Sequence, residues 1–237
     1  MKTRSCFLVL VDLLGFSTVV MTEGPAGALA MVRRFQRLTR SIVRELNAQR
    51  TAHGLDRGRR SKIRVFSDLV LVHSEGDSHD DCMDMLELSS KLFRLGCQQG
   101  LLPRGAMAWG EMVIGSSVTV GQPLVEAHRL EADQEWAGIA LCDSMEVWNQ
   151  EEGLTGDRRA SILGVAEERS WLVRWPIPNK AGGLAERLAV NWLALENPPF
   201  WHNKFCGDPE SICDPCAREK LRQTEAFYHH LVRLAEA

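Results

Sequence analysis

Cys6-Phe7-Leu8-Val9-Leu10-Val11, continued by Asp12-Leu13-Leu14-Gly15-Phe16, is the stretch on which the reading of this chain turns. An unbroken apolar run that ends at a glycine turn predicts a strand buried on both faces, and therefore a central strand of a sheet. Asp12 puts a carboxylate at the C-terminal end of that strand. The glycine turn after it lets backbone amides come close to a phosphate.

Working outward, apolar residues recur after Glu23-Gly24-Pro25 at Ala28, Val32, Phe35, Ile42 and Leu46, with Thr39 filling the gap. This spacing predicts an amphipathic helix of about six turns. Arg33, Arg34, Arg37, Arg40 and Arg44 cover much of its other surface and read as a solvated face. Residues 53–61 read as a loop. Two short strands, 62–66 and 69–73, flank Ser67-Asp68 as a tight hairpin. Residues 80–100 carry Met85, Leu88, Leu92 and Leu95 at helical spacing. Pro103-Arg104-Gly105 opens a second expected hairpin, whose strands 106–109 and 112–114 meet at Gly110-Glu111. A helix from Gly121 to about Trp136 follows, then a strand over 138–141, then a short helix with Asp143 as its cap. Further on, 170–175 and 188–193 read as strands. Residues 215–235 read as a helix with Leu221, Tyr228, Leu231 and Leu234 on one stripe.

This order predicts an α+β fold with helices packed on one antiparallel-rich sheet. At 237 residues it is expected to be one domain, a core over 1–150 with a C-terminal elaboration over 151–237. A composition 45% hydrophobic and 25% charged excludes a disordered, collagenous or coiled-coil chain. The net charge of −3 disfavours nonspecific attraction to nucleic acid or to an anionic membrane. Lys2 and Arg4 precede an apolar run, but Asp12 ends it too early for a secretory signal, and no later stretch is long enough to span a bilayer. Seven scattered cysteines fit reduced thiols, so a soluble cytoplasmic protein is expected.

Asp68 sits at the tip of the first hairpin. If that hairpin lies beside the first strand, Asp12 and Asp68 converge at one end of the sheet. Paired carboxylates beside a phosphate-accepting loop suit Mg²⁺, which takes one or two carboxylates and completes its shell with phosphates and water. Separately, His202, Cys206, Cys213 and Cys216 form a turn-rich group that could hold a structural Zn²⁺. Reduced buried thiols are the alternative. Trp109 and the later aromatics read as core rather than as stacking surfaces.

The chain resembles the class III nucleotide cyclases. The resemblance rests on Asp12 with Gly15-Phe16, the Phe66-Ser67-Asp68 tip, Arg104-Gly105-Ala106 through Trp109-Gly110-Glu111, and Gly121 with Ala127, Arg129 and Leu130. These motifs span roughly residues 5–145. The Arg-Gly-Ala and Trp-Gly-Glu pairing and the segment from Leu124 to Glu131 look most like the bacterial Pycsar uridylate and cytidylate cyclases of antiphage defence. What the resemblance implies is a ferredoxin-like cyclase core acting as a homodimer, with active sites shared between subunits. Asp12, Asp68 and the Leu13 backbone would hold two Mg²⁺ or Mn²⁺. Arg129, from the other subunit, and Arg104 would be catalytic, and Gly15, Phe16, Arg64 and Val125 would bind substrate.

Three departures bear on the base. Val125 stands where purine cyclases of this family usually have asparagine, Arg64 where they place a base-reading lysine or glutamate, and Val118 near their other polar reader. Arg64 can donate but not accept, which suits a uracil carbonyl. The expected activity is therefore a lyase that makes cyclic UMP from UTP, or cyclic CMP from CTP, as an antiphage signal read by a separate effector. A purine cyclase with an unusual pocket and a non-catalytic nucleotide-binding module are the rival readings. Arg129 has its own alternative, a surface ion pair with Glu126 or Asp133. Arg64 could likewise pair with Glu75 or Glu111.

Overall fold

The computed structural model describes residues 2–52, 61–115, 118–154, 162–194 and 215–236. In chain order the elements are β1 (Lys2–Leu13), α1 (Phe16–Ala52), β2 (Lys62–Phe66), β3 (Leu69–His73), α2 (His79–Gln98), β4 (Pro103–Ile114), β5 (Thr119–Gly121), α3 (Gln122–Asp133), β6 (Ile139–Leu141), α4 (Asp143–Leu154), α5 (Ile162–Glu168), β7 (Leu172–Pro178), β8 (Leu184–Val190) and α6 (Pro215–Glu236). All eight strands share one sheet in the order β2-β3-β1-β4-β6-β8-β7, with β5 paired to β4 outside that path. The β4–β6 pair is parallel and the others are antiparallel. The α+β expectation holds.

β1 is central, as its apolar run requires. Side chains alternate between faces, so Phe7, Val9, Val11 and Leu13 join the large core that includes Phe35, Ile42, Met85 and Leu92 of α1 and α2. Cys6, Leu8 and Leu10 face the other way, onto Leu71, Ala106, Ala108 and Ala127 of α3. A strand buried on both sides must be apolar at every position until it reaches an end. The first charge after the apolar run, Asp12, appears there and falls on the α3 face. Burying each large apolar side chain stabilises the fold by roughly 1.5–3 kcal/mol, so the carboxylate is carried by one of the most firmly held elements.

Several local expectations are corrected. Residues 103–114 do not form a hairpin. They are one continuous strand, because β1 pairs with β4 over its whole length, from Lys2↔Ile114 to Leu13↔Pro103. Gly110 is therefore a strand residue rather than a turn. Its φ of +146° disfavours other residues, and a Cβ there would lie 3.0 Å from the Pro123 ring where α3 begins. The hairpin partner of β4 is β5, and Gly115 N–H donates to the Val118 carbonyl at its turn (2.8 Å).

α1 starts earlier than the sequence predicts, at Phe16, and kinks at Gly24 (φ 70°, ψ −172°) before Pro25. The stripe that predicts the helix exists only beyond that kink. Asp143 is the first residue of α4 rather than its cap, and its carboxylate takes a hydrogen bond from Arg187 (2.6 Å). α5, at seven residues, is too short to show a period. In α6 the buried stripe is Leu221, Thr224, Phe227, Tyr228 and Leu231, while Leu234 is exposed. Phe227 lies 5.0 Å, ring centre to ring centre, from each of Trp136, Trp175 and Trp192. Trp136 and Trp192 are buried and Trp175 is half-buried, and through Phe227 they dock α6 onto the far half of the sheet.

Candidate active site

Asp12, at the C-terminal end of β1, is the first side chain of the site. Across the ladder it pairs with Arg104. Directly opposed residues share a face, so both point toward α3. Asp68 arrives from the β2–β3 tip, where Ser67 adopts a left-handed φ of 59° that turns the chain within two residues. β3 pairs with β1 in the register Val11↔Val70, which sets the tip beside the end of β1. The result is the expected convergence, with the Asp12 and Asp68 carboxyls in hydrogen-bonding contact.

Burial pushes Asp12 up to about 7, helped by the hydrogen bond with Asp68 and the negative charges of Glu131 and Asp68; the Leu13 N–H opposes the shift. Two carboxylates this close, with one desolvated, cannot both hold negative charge cheaply without a cation. That donor set fits a divalent metal.

The pair opens into a cavity of about 520 Å³. Leu13, Gly15, Phe16 and the start of α1 form one wall of it, and Cys216, Ala217, Lys220 and Leu221 of α6 form another. Gly15 has φ +84°, a conformation that strains any side chain, and space surrounds it on the Cβ side. Phe16, Ser17, Thr18 and Val19 at the start of α1 line the cavity beside it.

Arg104, expected to be catalytic, lines the same cavity and is also bonded to the end of α3. Its Nε and Nη2 lie 2.9 and 2.6 Å from Glu131 Oε1, and its Nη1 donates to the Gln134 carbonyl at 3.0 Å. Nη2 remains 3.5 Å from Asp12 Oδ2. Arg104 is buried, with its Nη2 within reach of both Glu131 and Asp12. Sequence reasoning missed Glu131 as the partner of this arginine. The signal was present, since an arginine beginning a buried strand needs a carboxylate.

Arg64 projects from β2 onto the α3 face, and its Nη2 donates to the Gly115 carbonyl at the end of β4. It is not among the described residues lining the Asp12 cavity. Arg129 and Val125 are exposed on α3 and line a separate cleft of about 380 Å³ with Asp133, Asp143 and Arg187. Arg129 makes no ion pair among the described residues, contrary to the alternative of a pair with Glu126 or Asp133. One copy of the chain therefore does not bring Arg129 to Asp12.

Of the four residues named for zinc, His202, Cys206 and Cys213 lie outside the described residues, and Cys216 is exposed on the first turn of α6. Among the described residues no helix is long and apolar enough to cross a membrane.

A pH dependence follows from Asp12. Its folded-state pKa is raised, so between about 4 and about 7 the folded protein binds more protons than the unfolded chain. That contribution to stability is full at the acid end and is lost as pH rises through about 7. In chelator, melting temperature should fall across this window, and saturating Mn²⁺ should raise it more at pH 8 than at pH 5.5. Asp84, pushed up to about 6 by burial despite Arg50, adds a slope of the same sign. Comparison with Asp12→Asn isolates the site: equal slopes in wild type and variant would contradict the assignment.

No family model and no curated protein matches this chain by sequence. Solved structures do match it. The catalytic core of a rhodopsin-guanylyl cyclase with converted specificity, in complex with ATPαS, superposes with a TM-score of 0.55 at 14% identity, over 80% of this chain and 97% of that one. A bacterial light-regulated adenylyl cyclase superposes with a TM-score of 0.52 at 14% identity, over 81% of this chain. Here the chain spans about half of the other protein, 53%. The sheet and the helices packed on it are those of the nucleotide cyclase catalytic fold of class III.

Proposed function

We propose that this chain is a homodimeric nucleotide cyclase that converts UTP, with CTP next, into the 3′,5′-cyclic nucleotide and pyrophosphate. The observation that carries the proposal is the meeting of Asp12 and Asp68 beside the Gly15 turn, in one cavity, on a cyclase fold. In the reaction the ribose O3′ forms a bond to the α-phosphorus, the bond from that phosphorus to the β-phosphate oxygen breaks, and the 3′-hydroxyl proton leaves.

Asp12 and Asp68 would hold two Mg²⁺ or Mn²⁺, with the Leu13 backbone completing the set. When bound, such ions supply Lewis-acid stabilisation of the 3′-alkoxide and of the departing pyrophosphate. The Gly15-Phe16 turn presents amides to the phosphates. Arg104 keeps the Asp12 carboxylate in place. Arg129 from a second copy stabilises the charge that develops on the transferring phosphoryl group; its guanidinium is always ionised and offers a fork of donors. That Arg129 and Asp12 line different cavities of one chain supports a site shared between two copies. The half-exposed Val125 and the donor-only Arg64 favour a pyrimidine over a purine, and the product would act as a signal for a separate effector in antiphage defence.

Pure protein incubated with Mn²⁺ and each of the four nucleoside triphosphates tests the proposal. Cyclic UMP should dominate. Arg64→Ala should weaken the UTP preference by about 10-fold or more in kcat/KM, the value of one charged hydrogen bond. An ATP preference in the wild type sinks the pyrimidine assignment. An unchanged ratio in the variant sinks the role of Arg64, and no cyclic product from any triphosphate leaves a binding module.

A further inference from the structure

The C-terminal helix has no place in the motifs that suggest the activity, which end near residue 145, yet α6 walls the cavity that holds Asp12 and Asp68. Its attachment is firm. Leu221 and Phe227 are buried, and the Thr224 hydroxyl accepts the Ala137 N–H at 2.8 Å. One turn before Thr224, Lys220 lines the cavity. The cavity has two cationic side chains among its described lining residues, Arg104 and Lys220. Arg104 is consumed by Glu131 and the Gln134 carbonyl. Among the described residues Lys220 pairs with Glu135, Nζ to Oε1 3.3 Å, at a partly exposed pair with side chains 21% and 30% accessible. An exposed pair of this kind is worth about 1 kcal/mol or less, so a stronger anion displaces the carboxylate readily.

We propose that Lys220 is a polyphosphate-binding residue of this site: on substrate binding its ammonium exchanges Glu135 for the β- and γ-phosphates. The inference rests on the nucleotide reading of the cavity and deepens it. The last third of the chain then contributes to the site and is not only a flank of it. Lys220 sets the preference for triphosphate over monophosphate, because its charge meets the terminal phosphates and not the nucleoside. A lysine suits this task, being a flexible point charge with rotatable donors that can swing from one anion to another.

The test uses 3′-deoxy-UTP and 3′-deoxy-UMP with Mn²⁺, and the 3′-deoxy adenine pair beside them, since without the 3′-hydroxyl no turnover occurs. Binding is measured by calorimetry on the full chain. Wild type should prefer triphosphate to monophosphate. Lys220→Ala should lose about 10-fold or more in triphosphate affinity with little change for monophosphate. Lys220→Arg should retain most of the affinity, and Glu135→Gln, which frees the lysine, should not weaken it.

Wild type that binds triphosphate while Lys220→Ala keeps the same triphosphate-to-monophosphate ratio overturns the role of Lys220 and leaves the cyclase reading standing. Wild type that binds no triphosphate overturns that reading and this inference with it.

Discussion

Replacing Asp12 or Asp68 with alanine should abolish cyclisation, lowering kcat by at least about a thousand-fold with Mn²⁺ saturating, the equivalent of roughly 4 kcal/mol of transition-state stabilisation. The two carboxyls touch at the end of β1 and the tip of the β2–β3 hairpin. Neither holds the core together: Asp12 is half-buried at a strand end and Asp68 is part of a two-residue tip. Removing Asp12 also removes a carboxyl that burial keeps pushed up to about 7, so the metal-free variant should fold at least as stably as wild type at pH 8. Loss of activity with an intact or raised melting temperature is the expected signature. Near-normal turnover by either variant would remove the proposed metal site. Arg104→Ala makes a useful contrast. It strands Glu131 as a buried carboxylate without its partner, and should cost both stability and activity.

The second large effect concerns Arg129. Arg129→Ala alone should reduce kcat by about 100-fold or more, the usual cost of losing one preorganised donor to a developing charge. Arg129 is exposed, so the fold should not suffer. Mixing the inactive Asp12→Ala and Arg129→Ala chains should then restore activity. Each mixed dimer has one site carrying both substitutions and one site carrying neither. Random exchange makes half the dimers mixed, which predicts about a quarter of wild-type activity. No recovery after subunit exchange has been verified by mass would count against shared sites, and an active enzyme that sediments only as a monomer would refute them.

Much of this was legible in the sequence because local rules and global fold agree along β1 and the first hairpin. An apolar run without a polar break forces a central strand, and the first charge after it must lie at an end. A two-residue gap between β-rich segments forces a tight tip, which made the positions of Asp12 and Asp68 readable. The error at residues 103–114 came from the same rules: Gly110-Glu111 looks like a turn, but twelve residues of β1 need a partner strand of equal length. Pairing with a long neighbour outweighs a local turn signal.

What the sequence by itself determined is the class of fold, the strand that organises it and the residues that meet at its end, since these follow from hydrophobic periodicity and chain reversal. Only the tertiary structure decided what those residues do to one another. It tied Arg104 of the cavity wall to Glu131, put Arg129 in a different cleft from Asp12, raised the Asp12 pKa through burial, and laid Lys220 over the site from a helix far along the chain. The physical reason is that desolvation, ion-pair choice and cavity walls depend on distances between segments remote in sequence. No pattern within one segment encodes those distances.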